Sequence, residues 1–251
     1  MNLFSLAGKT ALVTGGTRGI GQSIAVGLAE AGADIILVQR DTNDTATKSI
    51  VESLGRSCKV SKADLSDRKD VVGLVDTIIS QSQVDILANV AGIMRRYDVV
   101  DHPDSELDIL MEVNFNTTFI ISRDMGKYWI NNKIRGRLIN IASISSFRGG
   151  INAAVYSATK GAIGQLTRAM SNEWAPLGIR VNAIAPGYVA TDMNTDTRSD
   201  PSYSEAAAKT IPMGFWGKPD DFKGPAIFLA SEASSYVTGE ILMVDGGWMA
   251  K

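Results

Sequence analysis

The sequence of 251 residues predicts an α/β protein in which helices cover both faces of a parallel sheet. Short apolar stretches rich in Val, Ile and Leu show little alternation, which is typical of strands buried on both faces. Helical stretches separate these strands along the whole chain. Right-handed crossovers then give a doubly wound Rossmann fold with a seven-stranded parallel sheet. No repeat, linker or change in composition divides the chain, so we expect one domain over residues 1–251.

Seven segments carry the apolar strand pattern, and six carry the helical pattern. The predicted strands are Thr10–Val13, Asp34–Gln39, Cys58–Lys62, Val84–Ala88, Arg137–Ala142, Arg180–Ala185 and Ile241–Val244. The predicted helices lie near Ile20–Ala31, Asp44–Leu54, Lys69–Gln81, Ser105–Asn131, Asn152–Trp174 and Asp220–Ala230. The polar segment Pro186–Thr210 is long for a connection between a strand and a helix. Such a length is typical of a lid that covers a binding site, and a disordered insertion is the alternative interpretation.

Composition excludes several classes of function. Hydrophobic residues make up 45% of the chain, enough for a buried core, and a formal net charge of −2 provides no basic field for nucleic acid. The single cysteine, Cys58, cannot form an intramolecular disulfide, and with a single histidine, His102, we expect no metal site. The first ten residues lack the pattern of a signal peptide, and no apolar run approaches the roughly 18 residues of a membrane span. We therefore expect a cytoplasmic protein with no membrane partner.

A glycine-rich turn, Thr14–Gly21 (TGGTRGIG), joins the first predicted strand to the first predicted helix. Gly15 permits a tight turn, Gly19 lets the backbone approach a pyrophosphate, and Gly21 allows the helix to pack closely on the strand. The start of the helix offers free N–H groups and a positive dipole end to phosphates. The spacing is GxxxGxG, and a structural turn without a ligand is the alternative interpretation.

The end of the second predicted strand bears on the choice of cofactor. An acidic side chain there binds the adenosine ribose and selects NAD, whereas a nearby arginine accommodates the 2′-phosphate of NADP. Gln39 occupies this place, with Arg40 beside it and Arg18 in the glycine-rich turn. Two guanidinium groups suit a phosphate. The alternatives are that both arginines are only solvated and that Asp41 binds a ribose, so these residues favour NADP over NAD only slightly.

Ser143, Tyr156 and Lys160 form the candidate catalytic group. Tyr156 and Lys160 are four residues apart on a predicted helix and therefore share a face. An ammonium group beside a phenol lowers the phenol pKa, which suits a general acid for reducing a carbonyl or a base for oxidising an alcohol. Ser143 follows the fifth strand, at the sheet edge where ligands bind, and its hydroxyl can bond the substrate oxygen.

Together these motifs resemble the short-chain dehydrogenase/reductase family over nearly the whole chain. TGGTRGIG matches its cofactor turn, NVAG at 89–92 its NNAG element, and Asn114, Ser143, Tyr156 and Lys160 its catalytic tetrad. The resemblance implies that Asn114 holds a water in the proton relay, that Lys160 also binds the nicotinamide ribose, and that the protein is a homotetramer. Val90 replaces the second Asn of NNAG, which places a structural hydrogen bond in doubt. With the turn and strand-end residues, the implied cofactor-binding set is Gly15, Thr17, Arg18, Gly19, Ile20, Gln39, Arg40, Asp64, Leu65, Asn89, Ala91, Gly92, Tyr156, Lys160, Pro186, Gly187, Val189 and Thr191.

Within that family, four stretches resemble the 2-dehydro-3-deoxy-D-gluconate 5-dehydrogenases, also named 2-deoxy-D-gluconate 3-dehydrogenases. They are GIMRR at 92–96, NIASISSF at 140–147, IPMGFWG at 211–217 and VDGGWM at 244–249. The resemblance implies a sugar-acid substrate and favours NAD. Arg95, Arg96 and Arg148 lie where a guanidinium group could bind the carboxylate of such an acid, with solvated loop arginines as the alternative.

Other functions remain open at this point. On the same scaffold the enzyme could be a 3-oxoacyl-carrier-protein reductase or another polyol or ketone reductase. A non-catalytic nucleotide-sensing protein is the alternative of a different class. The intact Ser143, Tyr156 and Lys160 argue against it, because a sensor needs no proton donor.

Trp216 and Trp248 either line a sugar pocket or pack in the core or against another subunit.

Overall fold

The computed structural model describes residues 3–251, without the side chains of Asp196 and Thr197. Seven parallel strands form one sheet in the order β3-β2-β1-β4-β5-β6-β7, which confirms the predicted α/β fold. Each strand lies within two residues of its predicted bounds. The strands are β1 (Thr10–Thr14), β2 (Asp34–Gln39), β3 (Cys58–Lys62), β4 (Ile86–Asn89), β5 (Arg137–Ile141), β6 (Arg180–Pro186) and β7 (Ile241–Val244).

Helices cover both faces of this sheet. They are α1 (Gly19–Glu30), α2 (Ala46–Ser53), α3 (Arg68–Val71), α4 (Leu74–Ile79), α5 (Asp104–Met111), α6 (Thr117–Asn131), α7 (Ala154–Trp174), α8 (Thr195–Arg198), α9 (Pro201–Thr210) and α10 (Lys223–Ala230). Alternate strand residues enter opposite cores: Val13 packs with α1 and α10, and Leu12 packs with α4 and α6. Burial on both sides explains why the strands are continuous apolar runs. No helix within residues 3–251 combines the length and apolar character needed to cross a bilayer.

The order of the strands creates a crevice between β1 and β4. The chain runs outward from β1 through β2 to β3 and then returns to place β4 on the other side of β1. The Thr14 hydroxyl at the end of β1 accepts the backbone N–H groups of Val90 (3.1 Å) and Ala91 (3.2 Å), which follow β4. The segments after β1 and β4 therefore form the two walls of the crevice in which doubly wound proteins bind ligands.

Three predicted elements differ in the structure. The segment Pro186–Thr210 contains α8 and α9, so it is not a disordered insertion, while its role as a lid stays a prediction. The Asp200 carboxylate caps α9 by accepting the N–H groups of Ser202 (2.9 Å) and Tyr203 (3.3 Å), and Pro201 occupies the first turn. The helix predicted near Lys69–Gln81 is divided by Gly73, whose φ of +81° is left-handed. The long helix predicted near Ser105–Asn131 contains a π-helical turn, Glu112–Asn116.

Candidate active site

The glycine-rich turn lies at the mouth of the crevice and requires its glycines. Gly15 and Gly19 have left-handed φ values of +66° and +55°. A Cβ atom on Gly21 would lie 2.0 Å from the Gly15 carbonyl oxygen, and one on Gly15 would lie 2.7 Å from the Ala91 Cα atom. The turn therefore brings β1, α1 and the segment after β4 into direct backbone contact.

The start of α1 is open to an anion. Its N-cap residue, Arg18, makes no side-chain cap, and the first turn contains no acidic residue. Arg18 forms an exposed ion pair with Asp192 (3.7 Å), and a Cβ on Gly19 would lie 3.5 Å from the Thr191 side chain. The turn and the segment after β6 thus face each other across the crevice. Uncapped N–H groups and the helix dipole fit the diphosphate of a dinucleotide.

The end of β2 offers polar groups to the nucleoside end of such a ligand. The Gln39 side chain is buried, and its Nε2 donates to the carbonyls of Asp41 (2.7 Å) and Asp44 (2.8 Å), while its Oε1 has no partner. The exposed Arg40 pairs with Asp64 (3.8 Å). Hydrogen bonds from Ser66, and then Arg40, hold the pKa of the Asp64 carboxyl below its usual value. A buried acceptor beside an exposed, loosely paired guanidinium fits a ribose hydroxyl and a phosphate.

The Asn114 side chain lies beneath the segment after β4. Its Oδ1 accepts the Ile93 N–H (2.8 Å) and its Nδ2 donates to the Ile93 carbonyl (2.9 Å). The π-helical turn in which it lies joins α5 to α6. A Cβ on Gly92 would lie 3.3 Å from Asn114 Oδ1 and 3.6 Å from Lys160 Nζ. Gly92 therefore leaves a small space above two of the predicted catalytic side chains.

Ser146, which the sequence did not single out, links two of those residues. Its hydroxyl accepts the Ser143 N–H (3.2 Å) and donates to the Lys160 carbonyl (2.6 Å). The Ser143 Oγ accepts the Ser145 N–H (3.0 Å), which leaves its own proton free to bond the Tyr156 hydroxyl. Ser143 and Ser146 cap each other reciprocally, but Ser146 stands where the sequence signature of a capping box has Glu or Gln, so only the spacing of three hinted at it.

Tyr156 and Lys160 share one face of α7, with the Lys160 Nζ 5.8 Å from the centre of the Tyr156 ring. Lys160 is buried, and its Nζ donates to the Ile141 carbonyl (2.7 Å). Burial lowers the pKa of Lys160 to about 8. The expectation that this ammonium group lowers the pKa of Tyr156 is wrong for the protein alone. Burial of the phenol raises its pKa, and the opposing effects come from the Ser143 hydrogen bond and the charge of Arg96.

Asn89 lies under the site, within a buried row of polar side chains that crosses the sheet. Its Nδ2 donates to Ser122 Oγ (2.9 Å) and Asn140 Oδ1 (3.0 Å), and Asn140 in turn donates to Thr167 on α7 (3.0 Å). Val90, which replaces the second Asn of the family motif, bonds through its backbone N–H to Thr14. The substituted position therefore keeps its main-chain anchor.

The three candidate substrate arginines have different surroundings. Arg95 forms an ion pair with Glu106 (3.3 Å), so its charge is already compensated. Arg96 donates to the Ile151 carbonyl (3.5 Å), and its charge lowers the pKa of two phenols, Tyr156 and Tyr188. Arg148 stacks over the Trp248 ring, 4.6 Å from its centre, and also faces Tyr188. Trp248 in turn lies edge-on to Tyr188, a residue that the sequence did not single out, and the charges of both Arg96 and Arg148 lower the Tyr188 pKa.

The remaining predicted cofactor residues border the crevice mainly with their backbone. Leu65 accepts a hydrogen bond from Thr117 through its carbonyl (2.9 Å), and the Thr17 carbonyl accepts one from Gln22 (3.2 Å). Val189 is buried and belongs to the core against which Ile20 packs. Gly187, after Pro186, would place a Cβ 2.7 Å from the Asp245 side chain. The side chains of Val189 and Ile20 therefore support the crevice from below.

Comparison with known proteins identifies the family. Residues 15–249 match the family model described as Enoyl-(Acyl carrier protein) reductase, one of the models of the short-chain dehydrogenases and reductases. The chain belongs to the short-chain dehydrogenase/reductase family. This membership makes it an NAD(P)-dependent oxidoreductase.

Several relatives of this short-chain dehydrogenase/reductase have named activities. It is 49% identical to a 2-dehydro-3-deoxy-D-gluconate 5-dehydrogenase of Pseudoalteromonas atlantica, over 99% of this chain and 98% of that protein. It is 42% identical to the Escherichia coli protein of the same name, over 100% and 99% of the two chains. Among solved structures, the gluconate 5-dehydrogenase of Burkholderia cenocepacia in complex with NADP and tartrate superposes with a TM-score of 0.95. That structure is 37% identical and covers 100% of this chain and 98% of its own.

Proposed function

We propose that this enzyme transfers a hydride between NADP and the secondary alcohol or ketone of a sugar acid. The observation that carries this proposal is the contact between the segment after β4 and the loop before α7, where Arg96 donates to the Ile151 carbonyl (3.5 Å) and the Tyr97 N–H donates to the Asn152 carbonyl (3.1 Å). The charge of Arg96 also lowers the pKa of Tyr156 on that helix. A cation beside the proton-transferring group suits a substrate whose carboxylate lies near the reacting carbon. The named activities of the relatives support the same substrate class.

The proton chemistry belongs to Tyr156. When bound, the nicotinamide cofactor supplies or accepts the hydride. In reduction the Tyr156 hydroxyl protonates the developing alkoxide, and in oxidation its phenolate takes the alcohol proton. The Ser143 hydroxyl bonds the same substrate oxygen. Lys160 binds the nicotinamide ribose, Asn114 holds a water of the relay, and Ser146 keeps the backbones of Ser143 and Lys160 in place.

The cofactor choice rests on Arg18 and Arg40. Both side chains are highly exposed, and each pairs with a carboxylate at more than 3.5 Å, so each can turn to a 2′-phosphate at small cost. Gln39 supplies a buried neutral acceptor in place of the acid that selects NAD. The NADP in the Burkholderia cenocepacia relative supports this assignment.

The carboxylate of the substrate is bound by Arg96 and Arg148. Arg95 is assigned no part in this, because Glu106 already neutralises it. Tyr188, which packs edge-on against the Trp248 ring that carries Arg148, contributes a second phenol to the pocket. Binding of a carboxylate by two arginines explains why an acid is preferred over a neutral polyol.

A comparison of an acid with its amide tests the proposal. We expect NADP-linked oxidation of 2-dehydro-3-deoxy-D-gluconate with a KM at least about tenfold below that of its primary amide, because the amide lacks the charge that the arginines bind. Arg96→Gln should abolish most of this difference, and Arg95→Gln is the matched control that should retain it. Faster turnover of a 3-oxoacyl thioester, or cofactor binding without turnover of any acid, would overturn the assignment.

Two further proposals concern the state of the enzyme in the cell. We assign a homotetramer assembled through the long helical stretches that contain Asn114 and Tyr156. On the first of these stretches Leu107, Phe119 and Ile130 are more than a third exposed, and Phe115 stacks on Phe119. Sedimentation of the wild type as a tetramer, and of Phe119→Asp as a smaller species, is the expected result.

The cytoplasm is the assigned compartment, in keeping with the buried, unpaired Cys58.

A further inference from the structure

The C-terminal turn, residues 245–250, lies between the end of β6 and the end of α9. The Asp245 carboxylate accepts the N–H groups of Gly247 (2.9 Å) and Met249 (2.8 Å), which fixes the turn. A Cβ on Gly187 would lie 2.7 Å from the Asp245 Cβ, and one on Gly246 would lie 2.7 Å from Ile211 Cγ2. The turn is therefore packed by backbone on both sides, and its side chains are held in defined positions.

Trp248 projects from this turn and makes three kinds of contact. Its ring lies edge-on to Tyr188, with centres 6.0 Å apart, and its indole N–H donates to the Thr210 hydroxyl at the end of α9 (3.0 Å). The Arg148 guanidinium lies over its face, 4.6 Å from the ring centre. One indole thus joins the segment after β5, the segment after β6 and α9.

The remaining contacts of the same aromatic group hold α9 in position. Trp216 packs against Tyr188 with ring centres 5.0 Å apart and donates its indole N–H to the Ser204 carbonyl in α9 (3.1 Å). Hence α9 is attached through Ser204 and Thr210 to the aromatic group of Tyr188, Trp216 and Trp248, of which Trp248 carries Arg148.

Arg148 has no carboxylate partner among the ion pairs of the described residues, and the loop that carries it is exposed. A long side chain on such a loop would lose several freely rotating bonds on binding a substrate. The Trp248 face holds the guanidinium by cation–π attraction without using its N–H donors, which stay free for an anion.

We propose that Trp248 is a specificity-determining positioning residue, which holds Arg148 ready for the substrate carboxylate and thereby sets the preference for acids over neutral substrates. The inference rests on the proposed function, because it presumes that Arg148 binds that carboxylate. Trp248 acts only through Arg148, so its effect must disappear when Arg148 is absent.

A double-mutant cycle tests this inference, with the ratio of the KM for the amide to the KM for 2-dehydro-3-deoxy-D-gluconate as the readout. Trp248→Leu, which removes the aromatic face and keeps apolar bulk, should lower the ratio about fivefold. Trp248→Phe keeps a face for the cation and should restore most of the ratio. In the Arg148→Ala background, Trp248→Leu should have no further effect on the ratio.

The outcomes separate the inference from the proposed function. If Arg148→Ala changes the two KM values equally, the carboxylate role of Arg148 in the proposed function fails. If Arg148→Ala lowers the ratio but Trp248→Leu does not, or if their effects multiply in the double variant, the inference fails and the proposed function stands. If Trp248→Leu does not fold, Thr210→Val replaces it, because this change keeps the indole ring and removes its hydrogen-bond acceptor. We expect Thr210→Val to lower the KM ratio about twofold, and to have no effect on the ratio in the Arg148→Ala background.

Discussion

At the scale of single residues, the chemistry depends on how the surroundings of Tyr156 set its proton affinity. Burial disfavours the phenolate, while Arg96 and the Ser143 hydroxyl favour it. Oxidation needs the phenolate, so the oxidation rate should rise as the pH passes upward through the Tyr156 pKa.

Removing the Arg96 charge should move that rise to higher pH. Arg96→Gln takes away a cation that lowers the Tyr156 pKa, so the phenolate forms only at higher pH. The measurement is the pH dependence of kcat/KM for oxidation of the neutral amide, which avoids the loss of carboxylate binding. Arg95→Gln is the control, since Glu106 compensates Arg95. A profile for Arg96→Gln that is unmoved or moved to lower pH would contradict this account.

The residues themselves were predictable, but their electrostatics were not. Ser143, Tyr156 and Lys160 could be found because a strand end and a helical spacing of four place them together. The direction of the Tyr156 pKa depends on the burial of the phenol and on Arg96 and Ser143, which come from the segments after β4 and β5. The contact between Tyr188 and Trp248 was not predictable either, because the two residues come from distant parts of the chain.

At the scale of elements, the junction of β1 with α1 decides whether the cofactor can bind. Gly21→Ala should destabilise the protein by about 1–3 kcal/mol and weaken cofactor binding strongly. The added methyl group would lie 2.0 Å from the Gly15 carbonyl oxygen, so the turn must open. Denaturant unfolding and a cofactor titration measure the two effects.

Gly161→Ala is the matched control for that substitution. Gly161 also lies in a helix, α7, but nothing lies within 4 Å of its added Cβ. This change should leave stability the same or raise it by up to about 1 kcal/mol, because alanine favours a helix. If Gly21→Ala and Gly161→Ala lost stability and cofactor affinity equally, close packing of the turn would not explain the effect of Gly21→Ala.

The elements show where sequence patterns succeed and where they fail. Strands buried on both faces have a signal that needs no tertiary knowledge, and all seven were predicted. α9 was missed because its polar composition was treated as irregular, although Asp200 and Pro201 form a recognisable helix start. The π-helical turn around Asn114 has no comparable signal, since such turns are rare single-turn interruptions that occur mostly at functional sites.

At the scale of the whole molecule, the crevice between β1 and β4 couples cofactor binding to global stability. A cofactor present at 100 times its Kd should stabilise the folded state by about 2.7 kcal/mol. If Arg18 and Arg40 bind a 2′-phosphate, NADP should raise the unfolding temperature more than NAD at equal concentration. Arg40→Ala should reduce the NADP effect and leave the NAD effect intact. A larger shift with NAD in the wild-type enzyme would contradict the assignment of NADP.

The most direct test of the central claim, that Tyr156 transfers the proton, is the turnover of Tyr156→Phe, which differs from the wild type by one hydroxyl group. We expect kcat with the sugar acid to fall by roughly 10²- to 10⁴-fold, while the stabilisation by NADP persists. Turnover at the wild-type rate by a folded Tyr156→Phe variant would contradict it.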